Sequence, residues 1–77
     1  MRIALICNHP VAFSSIEALL NENLLVGLAT PFIMHEITFR VQIIAQSKGL
    51  PFAMIDPNNK AGSMEAWLKE CKPDVVV

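Results

Sequence analysis

Met1–Leu20, MRIALICNHPVAFSSIEALL, decides how the rest of the chain is read. Ile3 to Cys7 is a continuous apolar run, too short for a helix and closed by Asn8-His9-Pro10, so it reads as a buried strand followed by a turn. Ser14 and Glu17 then form Ser-x-x-Glu, a capping box that satisfies two orphan amides at a helix start. Phe13 is placed to staple onto Ala18, and Ile16, Leu19 and Leu20 supply one apolar face. Asn21-Glu22-Asn23 ends that helix. Ligands of open α/β sheets bind beyond the C-terminal ends of the strands, where the strand order reverses. Cys7-Asn8-His9-Pro10 is therefore expected at the mouth of any site.

The same alternation continues outward from this stretch. Leu24 to Ala29 reads as a second strand, closed by Thr30-Pro31 because proline cannot donate to a sheet ladder. A second helix starts between Pro31 and His35 and places Ile37, Val41, Ile44 and Ala45 at the helical period. Ser47-Lys48-Gly49 ends it, with Gly49 suited to a left-handed position. Pro51 to Ile55 is a third strand, and Asp56-Pro57-Asn58-Asn59 a turn. Ser63 is the expected N-cap of a third helix that buries Met64, Trp67, Leu68 and Cys71. Lys72-Pro73-Asp74 breaks it, and Val75 to Val77 begins a fourth strand. The order βαβαβαβ with short links implies an α/β fold, a parallel sheet with right-handed crossovers. If it is doubly wound, the strand order is 3-2-1-4 and the reversal lies between the first and fourth strands. Residues 1–77 then read as the N-terminal segment of a domain, cut within the fourth strand and completed by the remainder of that domain.

Composition narrows the class. At 77 residues this is one domain at most. A chain so short buries only about 60% of its unfolded surface. Residues are 53% hydrophobic and 17% charged, which excludes disorder and suits a sheet covered on both faces. The net charge is −1, and Arg2, Arg40, Lys48, Lys60, Lys69 and Lys72 are scattered, so there is no electrostatic footprint for nucleic acid. Cys7 and Cys71 have no metal-ligand spacing and read as buried free thiols. No apolar run is long enough for a membrane span or signal peptide, and the expected compartment is the cytoplasm.

A dinucleotide site needs glycines after the first strand and an acid after the second. No glycine lies between Cys7 and Ser15, and Thr30 stands at the acidic position, so neither part is present. A phosphoacceptor site needs an aspartate after the third strand and acids after the first to hold magnesium. Asp56 meets the first condition, but Asn8 and His9 stand where the acids belong, and Asp56 reads as a turn former before Pro57. His9 can act as acid, base or ligand, or can serve as a loop residue bonded to the backbone. Asn8 has the same two readings. His35, at a helix start, is expected neutral and structural. Phe32-Ile33-Met34 either folds back on the core or contacts a partner or substrate.

Several landmarks resemble the formyltransferases that use 10-formyltetrahydrofolate, above all methionyl-tRNA formyltransferase and its sugar-nucleotide relatives. The matching positions are Met1, Arg2, Ile3, Ala12, Ser15, Glu17, Ala18, Leu19 and Leu20, then Gly49-Leu50-Pro51 before the third strand and Lys72-Pro73-Asp74-Val75-Val76 before the fourth. The resemblance implies a Rossmann-like domain and transfer of a formyl group from 10-formyltetrahydrofolate to an acceptor amine. It also implies that the catalytic asparagine, histidine and aspartate follow the fourth strand. Asn8 and His9 are not those residues. With Pro10 they form the expected substrate-binding wall, and no catalytic, cofactor-binding or metal-binding residue is expected within residues 1–77. Cys7-Asn8-His9-Pro10 replaces the family's Gly-Thr-Pro-Asp turn, and Thr30 to His35 is shorter and more apolar than the basic, glycine-rich segment of the tRNA-specific members. Those departures disfavour tRNA and favour a small-molecule acceptor such as an amino sugar nucleotide. The competing reading is a non-catalytic α/β binding module or a receiver-like regulatory module.

Overall fold

The computed structural model describes residues 1–32 and 36–77. The elements are β1 (Ile3–Ile6), α1 (Ala12–Asn21), β2 (Leu25–Pro31), α2 (Glu36–Lys48), β3 (Phe52–Ile55), α3 (Lys60–Cys71) and β4 (Val75–Val76). The four strands are all parallel, in the order β3-β2-β1-β4, so the fold is Rossmann-like α/β. The chain leaves β3 at one edge and returns as β4 on the far side of β1, and the reversal lies between β1 and β4.

Two cores follow from the pleat. Leu5, Cys7, Leu25 and Leu28 face α1 and α2, meeting Ile16, Val41 and Ala45. Ala4, Ala29 and Ile55 face α3, meeting Trp67 and Cys71. The register between β1 and β2 slips at one point: Ile3 pairs with Leu25 but Ala4 with Gly27, leaving Val26 as an extra residue. At Gly27 an added Cβ would come within 3.0 Å of Cys71 Sγ and Trp67 Nε1. Glycine there lets α3 approach the sheet.

Four local expectations are corrected. Helix α1 begins at Ala12 with Val11 as N-cap and no side-chain cap, so Ser14 and Glu17 are exposed residues within the helix rather than a capping box. The orphan amides are satisfied earlier, by turn bonds from Ala12 N–H to His9 O (3.0 Å) and from Phe13 N–H to Pro10 O (3.1 Å). Phe13, displaced from the staple position, instead carries the Arg40 guanidinium 4.3 Å above its ring. Helix α3 begins at Lys60, capped by Asn59, whose side chain accepts from Gly62 N–H. Ser63 is not the cap: its hydroxyl accepts from Asp56 N–H (3.0 Å) and donates to Lys60 O (3.1 Å). Strand β2 runs two residues past Ala29, to Pro31. Alternate residues of β2 bond to either side: Cys7 N–H reaches Ala29 O, whereas Phe32 N–H reaches Ile55 O. The missing N–H of Pro31 therefore points beyond the end of β1 and breaks no ladder bond.

Other expectations hold. Gly49 has φ +68° after α2, and Asn23 (φ 58°) ends α1. Asn23 and Leu24 N–H bond back to Leu20 O and Leu19 O, a Schellman closure. Arg2 ties the start of β1 to the end of α3, donating from Nε to Lys72 O (2.9 Å) and from Nη2 to Cys71 O (2.6 Å). Its backbone N–H donates to the Asp74 carboxylate at 2.8 Å. The readings of Ile33, Met34 and His35 lie outside the described residues, and Phe32 is exposed.

Candidate functional site at the strand ends

The C-terminal ends of the strands form one rim, with the turn Asn8-His9-Pro10 above β1. All three residues are exposed, while Cys7 just before them is buried. Ile6 N–H donates to Val77 O at 2.8 Å, which joins the rim of β1 to that of β4 at the reversal point. His9 Nδ1 accepts from Val11 N–H at 3.2 Å. With Nδ1 accepting, the neutral ring carries its proton on Nε2, which remains available to donate outward. His9 is thus both a turn residue bonded to the backbone and a donor at the rim, and Asn8 beside it offers an exposed amide.

On the α3 side of the rim lies a cleft of about 250 Å³ between Ile6, Pro31, Ile55, Pro57, Lys60 and Met64. Its walls are apolar apart from Lys60. The sequence alone does not assemble it, because its residues come from four separate segments. The signal the sequence carries is a proline at the end of β2, another just past β3, and a lysine opening α3. The cleft and the exposed turn flank β1, on the rim that the topology predicts for ligands.

Other candidates resolve into structure. Asp56 Oδ1 accepts from Asn58 N–H at 2.9 Å, closing an Asx turn, so its carboxylate is engaged locally. The Thr30 side chain is 1% exposed and cannot reach a ribose, and its Oγ1 has no hydrogen-bond partner among the described residues. Burial pushes the Cys7 thiol up to about 11. Burial also raises Cys71, against a backbone hydrogen bond and Arg2, which pull the other way. Both are free thiols, on opposite faces of the sheet, and neither is an activated nucleophile. Among the described residues no three His, Cys, Asp or Glu side chains are grouped to hold a metal ion. No helix among them is long and apolar enough to cross a membrane. The rim can therefore position a polar ligand by hydrogen bonds from Asn8 and His9 and by apolar contact in the cleft. Comparison with protein-family models, with curated proteins and with solved structures returned no significant match.

Proposed function

We propose that this chain is the front part of a formyltransferase that moves a formyl group from 10-formyltetrahydrofolate to an acceptor amine. The observation that carries this reading is where the resembling residues sit. Gly49-Leu50-Pro51 is the joint into β3, with Gly49 in the left-handed conformation. Lys72-Pro73-Asp74 is the joint into β4, with Lys72 left-handed and Asp74 bonded to Arg2 of the matching amino-terminal run. The turn after β1 lies beside the strand reversal.

In such a reaction the amine nitrogen attacks the formyl carbon, a tetrahedral oxyanion forms, and the bond from that carbon to the folate nitrogen breaks. The resemblance puts the proton-transferring and oxyanion-stabilising groups after β4. The 250 Å³ cleft is smaller than the roughly 300–1,000 Å³ that encloses a drug-sized ligand. By itself it does not hold a folate, and no step of the reaction is assigned to residues 1–77. Their role is scaffold and one wall of the acceptor pocket, in which Asn8 and His9 hydrogen-bond the acceptor and Pro10 fixes the turn. The apolar, short connection after β2 favours an amino sugar nucleotide over tRNA, and the compartment of this reading is the cytoplasm.

The test is formyl transfer by the protein isolated from its native source, with 10-formyltetrahydrofolate and a panel of amines, followed by product mass. The expected result is a formylated amino sugar nucleotide, and no product from the 77-residue chain alone. Absence of product with every amine, or product from residues 1–77 alone, contradicts the reading.

A further inference from the structure

A groove of about 460 Å³ runs between α1 and α2 on the outer side of their layer. Phe13, Leu20 and Ile44 supply its apolar lining, Glu17 stands on the α1 wall, and Arg40 and Lys48 stand on the α2 wall. All three charged residues are exposed and form no ion pair among the described residues. Next to the groove, the outer face of α2 leaves Phe39 46% and Ile43 63% exposed. Large apolar side chains one turn apart on a surface helix, beside an apolar groove, mark an interaction surface.

The charges say what fits it. Both helices run antiparallel to the strands and hence in the same direction. The Arg40 guanidinium stacks over the Phe13 ring, so the two helices meet across the groove at these residues. Glu17 faces the same groove as Arg40 and Lys48, which stand eight residues, about 12 Å, apart along α2. A uniformly acidic partner would meet Glu17, and a uniformly basic one would meet Arg40 and Lys48. A two-fold axis parallel to the helices places α1 of one copy over α2 of the other without changing level. The Glu17 wall of each copy then faces the Arg40 and Lys48 wall of its mate, over a shared apolar floor.

We propose that the α1–α2 groove is a self-association surface, closed by a second copy of this chain about that axis, with each Glu17 facing the mate's Arg40 and Lys48. This goes beyond the formyltransferase reading and does not depend on it. The test is sedimentation of the full chain at low salt, with Glu17→Lys and with the double variant Arg40→Glu, Lys48→Glu, each checked for its fold by circular dichroism. The expected result is a dimer for the parent chain and a dissociation constant raised at least tenfold for each variant. An equimolar mixture of the two variants should restore a one-to-one dimer, because every charge contact is then reversed as a set. A monomeric parent chain, open-ended association, or a dimer indifferent to these substitutions overturns the proposal.

Discussion

The two faces of the sheet solve the same problem in opposite ways. Against α1 and α2 the strands supply the bulk, with Leu5 and Leu28, and the helices answer with Ile16, Val41 and Ala45. Against α3 the central strands supply Ala4, Gly27 and Ala29, with Ile55 only at the edge strand β3, and the single helix supplies Trp67 and Cys71. One helix cannot span as much sheet as two, so it covers its face by coming closer and by carrying the largest side chain of the chain. The difference teaches that close approach on the α3 face depends on the absence of side chains in the strands, whereas the α1/α2 face depends on their presence.

Substitutions can break or sharpen that contrast. Trp67→Ala is expected to cost about 3–5 kcal/mol of unfolding free energy in urea titrations, since Trp67 is 3% exposed and is the main cover of its face. It also loses the bond from Nε1 to Pro51 O, at 3.2 Å. Leu28→Ala, at a position with no exposure, is expected to cost about 2–5 kcal/mol, with the strand as the source of the lost volume. Gly27→Ala sharpens the comparison most cleanly, because it adds one methyl to the face built on small residues. With Cys71 and Trp67 at 3.0 Å and both buried, it is expected to destabilise by about 1–3 kcal/mol. A neutral or stabilising result would show that α3 is not held close. Arg2→Ala removes two donors to the end of α3 and is expected to cost about 1 kcal/mol, also in urea.

The smallest effect at neutral pH comes from the thiols and appears only on raising the pH. The Cys7 thiol rises from 9.0 to about 11 on folding, so the folded chain holds that proton more tightly than the unfolded one. Its contribution is complete below pH 9 and is lost as the pH climbs toward 11. The urea midpoint is expected to fall over that window, and Cys7→Ala to remove part of the fall.

The alternation of apolar runs with helical periods made the parallel sheet and its 3-2-1-4 order legible, because both follow from chain connectivity. The helix starts were legible only in part. Ser14 and Ser63 each carry the chemistry of a cap, but Pro10 and Asn59 begin their turns earlier, and local sequence does not rank competing caps. The extension of β2 through Pro31 depends on which neighbour each residue bonds, a property of the assembled sheet. At the rim, the exposed turn Asn8-His9-Pro10 could be read from β1 alone. The cleft could not, because Ile6, Pro31, Ile55 and Met64 meet only after the three strands are ordered.

The central functional claim is that the turn after β1 is a wall of the acceptor pocket. It is tested most directly by steady-state kinetics of the native-source protein carrying His9→Ala or Asn8→Ala. The account predicts a KM for the acceptor amine raised about tenfold, a loss of ~1.4 kcal/mol of binding, with kcat and the KM for the formyl donor unchanged. An unchanged KM for the amine in both variants would contradict it.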